Sequence, residues 1–499
     1  MNKRRCKAGA GEIFHVDPSH SERHDKCPGG IARSGPTLTG NHRVEGNMNK
    51  VRVLFSAILF VCCCAGPAWA QPTGGDLLIR NITLIDGTGA EPLPNMSVFV
   101  EDGRISKITE QDDSPSGGIR VIDGSGKYLI PGLIDSHMHL PGGRTGPGNR
   151  EMIMDTDTGL KVLHGFLYAG VTAVYDSGNH DNYIYRMRED ASAGRIVSPR
   201  IYATGSLVAK KDGYACCAGA TTMDSFEDGK AKLDALFANK PDMLKFTRDR
   251  RGMGPRGQDL PLIPDDDFSQ LIRYAKDNGV RTTIHIADEK AARLAIAAGV
   301  DALAHPVFLA DASTGFAEYV AEHGVVISST ALLFGAVGRV ELDNSFFDDP
   351  LFTETLTEEE LQFNKVTERD RYASSGMSGW MRGVLPAVLR NLKQLHDAGA
   401  IIAMGTDRLI GPMVHMEMEL LAEAGISPLD VITLSTLNGA KYIGVEESLG
   451  SIEIGKRADM VILSKDPSVD IRNSRSIVRV IVDGAEIDRS RLDVAINHN

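Results

Sequence analysis

The 499-residue chain lacks several features that would place it in a functional class at once. It has no basic tract: 54 Lys+Arg against 66 Asp+Glu leave a formal net charge of −12, and nothing suggests a nucleic-acid partner. It has no apolar run of the ~20 residues that a membrane-spanning helix needs; the longest run covers only 53–65. Cysteine is scarce where it would matter. Five of the seven lie at or before residue 64, which leaves Cys216 and Cys217. Two adjacent cysteines make no disulfide framework and read as buried thiols or a strained vicinal disulfide. The rest, 42% hydrophobic and 24% charged, is ordinary globular composition, long enough for one large domain and a smaller one.

The one apolar run follows Met48-Asn-Lys-Val-Arg and precedes Ala68-Trp69-Ala70-Gln71. A basic start, a short apolar stretch and an A-x-A site read as a signal peptide over 48–70, cleaved after Ala70. A lipoprotein site at Cys62 to Cys64 lacks the usual small residue before the cysteine. Residues 1–47 are polar, without apolar periodicity, and read as a non-structural leader. The first 70 residues carry ten basic and five acidic groups, so the mature chain has charge −17. The expectation is an acidic exported protein, periplasmic or secreted.

Residues 71–130 alternate polar and apolar positions, broken by Asp86-Gly87 and Asp102-Gly103, as antiparallel hairpins do. Residues 446–499 repeat this pattern. Together they predict a small β-sandwich made by both chain ends. Between them, 131–445 alternates strand and helix. Strands are expected over 133–139, 171–176, 200–204, 243–247, 281–286, 302–305, 325–329 and 401–406, with helices such as 268–278 and 289–298 between them. Eight such units over ~300 residues predict an α/β fold, a (β/α)₈ TIM barrel; a doubly wound sheet is the alternative.

His137-Met138-His139 ends the first of these strands. Side chains at i and i+2 share one face of a strand, so both imidazoles can reach one metal ion. An H-x-H pair alone is a weak pattern. The other candidates raise its weight, because each falls at the C-terminal end of a strand: Lys245 on the fourth, His285 on the fifth, His305 on the sixth and Asp407 after the eighth. In a barrel those ends meet at one mouth, where active sites are built. Taken singly, His285 and His305 would read as hydrogen-bonded core histidines, Lys245 as a solvated charge and Asp407 as a helix cap. Their joint placement argues against that, and against the doubly wound sheet. His164, His180, His323, His396 and His498 read as structural; His415 stays open as a substrate contact.

These motifs resemble the amidohydrolase superfamily. The resemblance rests on Pro131-Gly-Leu-Ile-Asp-Ser-His-Met-His139, His285, Ala302-Leu-Ala-His-Pro306, Met404-Gly-Thr-Asp407, Ser435-Thr-Leu-Asn-Gly-Ala440 and Leu449-Gly-Ser-Ile-Glu-Ile-Gly-Lys-Arg-Ala-Asp-Met-Val461, across nearly all of 76–485. The segment from His415 resembles the branch with imidazolonepropionase-like proteins and Xaa-Pro or Xaa-Arg dipeptidases. The resemblance implies two divalent metal ions, zinc by ligand type. His137, His139 and Asp407 would hold one, His285 and His305 the other. A CO₂-derived carbamate on Lys245 would bridge them, and Asp407 would serve as the catalytic base.

The expected function is hydrolysis of an amide or peptide bond by metal-bound hydroxide, on a dipeptide or N-acyl amino acid. Arg248, Arg250, Arg251 and Arg256, just past the fourth strand, could clamp a substrate carboxylate, or form a solvated loop paired with Asp249 and 265–267. Tyr214 is a further candidate contact. Rival readings are an esterase, lactonase or phosphotriesterase on the same metals; a mononuclear deaminase or imidazolonepropionase; and a non-catalytic scaffold. The partner is a small-molecule or peptide substrate, without a membrane span in the mature chain; a homo-oligomer stays open. The long stretch 332–389 between the seventh and eighth strands is expected to be a specificity-shaping lid.

Overall fold

The computed structural model describes residues 75–110, 118–145, 152–216 and 219–498. The leader, the signal segment and Cys217 lie outside these residues; Cys216 is half-buried. Among the described residues no helix is long and apolar enough to cross a membrane.

The two chain ends build one eight-stranded sheet. Its N-terminal strands are Leu77–Leu84, Leu93–Glu101, Arg104–Thr109, Arg120–Asp123 and Tyr128–Pro131; its C-terminal strands are Met460–Leu463, Ile477–Val482 and Ala485–Glu486. The ends join where Met460–Leu463 runs antiparallel to Tyr128–Pro131. Ile79, Val98, Leu129, Met460 and Ile481 form its buried core. Asp102-Gly103 takes left-handed backbone at both residues, as a tight hairpin requires. Asp86-Gly87 does not make the expected tight turn. The connection there runs from Leu84 to Leu93, and Gly87 packs against Pro131 instead.

Only Gly132 separates this sheet from the central parallel strands, so the first of them is anchored directly on it. A side chain at Gly132 would collide with Thr172 Oγ1, 2.1 Å from the Cβ position. The parallel strands are Leu133–Met138, Val171–Asp176, Arg200–Ala203, Leu244–Arg248, Thr282–Ile286, Ala302–Leu303, Val326–Ser328 and Ile402–Ala403. The first three form one ladder and the last five another, the latter extended by the short strands Val208–Lys210 and Thr221–Met223. Backbone bonds join the ladders at both seams: Asp242 N–H to Ala203 O (3.0 Å), and Ser136 N–H to Met404 O (2.9 Å). The strands are buried almost throughout, as parallel strands covered by helices are.

Several strands are shorter than the pattern predicts. The sixth ends at Leu303 and the eighth at Ala403, which leaves His305 and Asp407 in the loops beyond them. The helix expected over 268–278 begins earlier, at Asp265, where Asp265, Asp266 and Asp267 favour the positive helix start. The stretch 332–389 is not an open loop. It folds into helical segments that end in the long helix Met377–Asp397. Glu354 and Glu360 fasten it to the first helix of the central region, Thr156–Tyr168, through Tyr168 Oη (2.8 Å) and Lys161 Nζ (2.7 Å).

The loop after the eighth strand lies against that first helix at Gly411, whose Cβ position is 2.2 Å from Gly165 O. Backbone cannot give way as a flexible side chain does. Gly411→Ala should therefore lower the unfolding free energy by about 1–3 kcal/mol, as overpacking does. Urea unfolding of the variant beside wild type checks this; unchanged stability would mean that the approach is not rigid.

Candidate metal centre

His137 and His139 leave the first strand toward the same mouth. His137 is fully buried and its Nδ1 lies 2.9 Å from Ala304 O; His139, partly exposed, sets Nδ1 2.9 Å from Gly178 O. A carbonyl only accepts, so each Nδ1 carries the proton and each Nε2 presents its lone pair. Both Nε2 atoms face Asp407 Oδ1, at 3.9 and 3.6 Å. Asp407 holds left-handed backbone (φ 51°), fixed by its N–H on His137 O at 2.7 Å.

Lys245, on the fourth strand, brings Nζ to 3.0 Å from His137 Nε2 and is buried. Burial pushes its amine down to about 8, against the pull of Asp407 and Asp176. His305 sits with its ring centroid 4.7 Å from those of both His137 and His285, and its Nδ1 is 3.0 Å from Thr330 Oγ1. Burial, then the neighbouring basic groups, hold His137 and His305 well below the ordinary imidazole value. Neutral imidazoles with free lone pairs are what a divalent cation binds. Ligand atoms of His137, His305 and Asp407 all lie within 4.8 Å of one another. The donor set of nitrogens and a carboxylate suits zinc.

The anticipated substrate contacts divide. Tyr214 is at the site: its half-buried ring stacks on His285, centroids 4.3 Å apart and 15° from parallel. Burial, then Asp249 and Asp407, push its hydroxyl up, so it stays a neutral donor. Arg248 is a correction to the clamp reading and follows the alternative, the pairing with 265–267, though buried and not solvated. Its guanidinium is buried, donates to Ile263 O (2.8 Å), pairs with Asp265 and lies over the Phe268 ring. It is spent bracing the start of the fourth-loop helix. Arg250, Arg251 and Arg256 are exposed on the following loop. His415 is a second correction: it is fully buried, with Nδ1 on Ser474 Oγ (2.8 Å) and Nε2 on Ala169 O (3.1 Å), so neither nitrogen is left for a substrate.

Two acidic residues outside the expected ligand set, Asp249 and Asp135, hold the cluster. Asp249 is buried with Oδ2 3.4 Å from His285 Nε2, while its Oδ1 accepts from the N–H groups of Arg251 and Gly252. Burial opposes its charge, but the His285 contact and the two N–H groups keep the carboxyl below its usual range. Asp135 is buried between the first and eighth strands. It accepts from His137 N–H (3.0 Å), Thr406 N–H (3.0 Å) and Thr406 Oγ1 (2.6 Å). The i, i+2 series Asp135, His137, His139 was the available signal, since all three share one strand face.

Asp135→Ala leaves two buried backbone donors without partners, at about 1–3 kcal/mol each. Asp135→Asn keeps an oxygen for them, and Thr406 can turn to accept from the new amide. Urea unfolding should therefore show Ala markedly less stable and Asn close to wild type. Equal losses in both would show that the charge, not the acceptor, matters.

The model of the amidohydrolase family matches residues 128–487. Imidazolonepropionase of Micrococcus luteus is 24% identical over 421 residues, covering 79% of this chain and 93% of that protein. N-acetylglucosamine-6-phosphate deacetylase of Lysinibacillus sphaericus is 24% identical over 223 residues, 42% of this chain, which thereby spans about half (50%) of that relative. Among solved structures, a Xaa-Pro dipeptidase with bound methionine in its active site superposes with a TM-score of 0.65 at 21% identity, over 83% of this chain and 100% of that one. A TIM-barrel-type α/β fold with a histidine-rich centre at its strand ends, and a family match over most of its length, place this chain in the amidohydrolase family.

Proposed function

We propose that this chain is an exported binuclear-metal hydrolase that cleaves an amide or peptide bond of a small substrate, a dipeptide or an N-acyl amino acid. Its frame is a closed (β/α)₈ barrel, with a β-sandwich from both chain ends. The observation that carries the reading is a buried lysine amine 3.0 Å from a buried, neutral histidine, in a cluster of four imidazoles and one carboxylate. A solvated structural lysine has no reason to sit there.

His137, His139 and Asp407 would hold one ion, His285 and His305 the other. With Nε2 on Asp249, His285 keeps Nδ1 for a metal. A lysine held near 8 has an appreciable uncharged fraction at neutral pH, able to add to CO₂ with loss of one proton, and the resulting carbamate would supply Lys245 with anionic oxygen donors for the ions. When bound, paired divalent ions polarise a carbonyl and acidify water. Asp407 faces both histidines of the first strand and is placed to take a proton from the attacking water and return it to the leaving amine. Tyr214, with its ring on His285, offers a hydroxyl to the scissile group. Lys245 supports this reading over the mononuclear deaminase or imidazolonepropionase alternative, and the filled ligand set argues against a scaffold.

Purified protein should carry about two zinc ions per chain by plasma mass spectrometry. Lys245→Ala should retain one, and should lose most turnover on a panel of dipeptides and N-acyl amino acids. Added short carboxylic acids should restore part of it. Two ions and full rate in the variant would overturn the bridging role, and no turnover of the panel by zinc-loaded wild type would overturn the amidase reading. Export rests on the 48–70 pattern alone: exported protein should begin at Gln71 by N-terminal sequencing, and a start at Met48 would refute processing there.

A further inference from the structure

Most buried or half-buried arginines among the described residues meet a carboxylate: Arg200 pairs with Asp459 and Asp483, Arg188 with Asp242, Arg248 with Asp265, Arg475 with Glu419. Arg408 does not. It directly follows Asp407, is half-buried, and its side chain makes one hydrogen bond, from a guanidinium nitrogen to Leu333 O at 3.3 Å. Its Nε is buried without a partner. Arg281 and Arg489 likewise bond only a backbone carbonyl and keep a buried unpartnered nitrogen, but of the three only Arg408 directly adjoins a residue of the candidate metal centre. A buried donor without a partner costs stability until something satisfies it.

The place of Arg408 says what would satisfy it. Its N–H donates to Thr406 Oγ1 (3.2 Å), the hydroxyl that also bonds Asp135, so its backbone shares the frame of His137 and Asp407. Its head reaches the first turn of the helix Ala331–Arg339, just past Thr330, whose hydroxyl holds His305. It thus spans the loops after the seventh and eighth strands, at the same end of the strands as the cluster. Next along the chain from Leu333, the Phe334 ring centroid lies 5.1 Å from that of Phe308, which is 6.5 Å from that of His305 and 6.4 Å from that of Trp380. Low polarity around a guanidinium strengthens its pairing with an anion.

We infer that Arg408 is a specificity-determining residue that binds the free carboxylate of the amino acid on the leaving side of the scissile amide. It takes the part that the sequence suggested for the cluster of Arg248, Arg250, Arg251 and Arg256. One guanidinium fork matches one carboxylate in charge and geometry; no second described cation is bonded into the spot, as a phosphate dianion would favour. The inference deepens the proposed amidase reading and rests on it for the chemical class of the ligand.

The test is calorimetric binding of L-leucine, L-leucinamide and inorganic phosphate to zinc-loaded full-length protein, as wild type, Arg408→Lys and Arg408→Met. Circular dichroism and metal content should match across all three, since Arg408 makes only one protein side-chain bond. Leucine should bind wild type about 10- to 150-fold more tightly than leucinamide, the worth of one charge-assisted hydrogen bond. The ratio should fall to near one in Arg408→Met and stay intermediate in Arg408→Lys. A ratio unchanged in Arg408→Met, wild type that does not bind leucine, or phosphate that outcompetes leucine through Arg408 would each overturn the inference. Turnover of the amide panel is read separately: wild type that binds leucine through Arg408 yet cleaves no amide would sink the amidase reading and leave the carboxylate site standing.

Discussion

The site depends on one junction, where the first and eighth parallel strands meet over the carboxylate of Asp135. Three donors converge on it, one from the backbone of His137 and two from Thr406. Beside it, the N–H of Asp407 binds His137 O and holds Asp407 in left-handed backbone. An aspartate tolerates that conformation better than most residues. Residues about 270 positions apart are thus locked to one another by backbone bonds before any ligand arrives. Rigidity of this kind is what a preformed metal site requires.

Around that junction the fold gathers basic groups that would repel one another if charged. Four imidazoles and a lysine lie within ring-contact or hydrogen-bond distance, and burial keeps His137 and His305 neutral. Each histidine also has an outer partner: Ala304 O, Gly178 O, Thr330 Oγ1 or Asp249. These partners orient the rings and choose the nitrogen that faces inward. The arrangement gives up stability that an apolar mouth would have provided, as functional sites commonly do.

The remaining architecture supports the mouth from outside. The sheet made by the chain ends continues through Pro131 and Gly132 into the strand that carries His137. The helical stretch between the seventh and eighth strands begins at Thr330, the residue that orients His305, and brings Trp380 to the aromatic wall. Glu417, fully buried on the helix Met413–Glu423, accepts from Ser329 Oγ and from the N–H groups of Ala331 and Leu332. It pins the chain on both sides of Thr330. Burial raises its carboxyl to about 7 even against the pull of the three donors.

Alternating strand and helix patterns, Asp-Gly turns and ligand types at strand ends made the α/β class and the central cluster legible in the sequence, because periodicity and strand direction are local properties. The arginines were legible only in part: pairing of the Arg248 cluster with 265–267 was one of two alternatives, and the sequence could not choose between them. Arg248 and Arg408 carry the same charge, and each lies within three residues of Lys245 or Asp407 on the chain. Only tertiary packing gave Arg248 a carboxylate, in Asp265, and left Arg408 without one. His415 was misread for the same reason: the partners that consume both its nitrogens lie 59 and 246 residues away in sequence. Asp249 and Asp135 look like ordinary loop and strand acids until the fold buries them against histidines. Residue type and local period follow from short-range sterics and are written in the chain. Which polar group is satisfied, and which is left for a ligand, is decided by contacts between distant segments, and so by the tertiary structure alone.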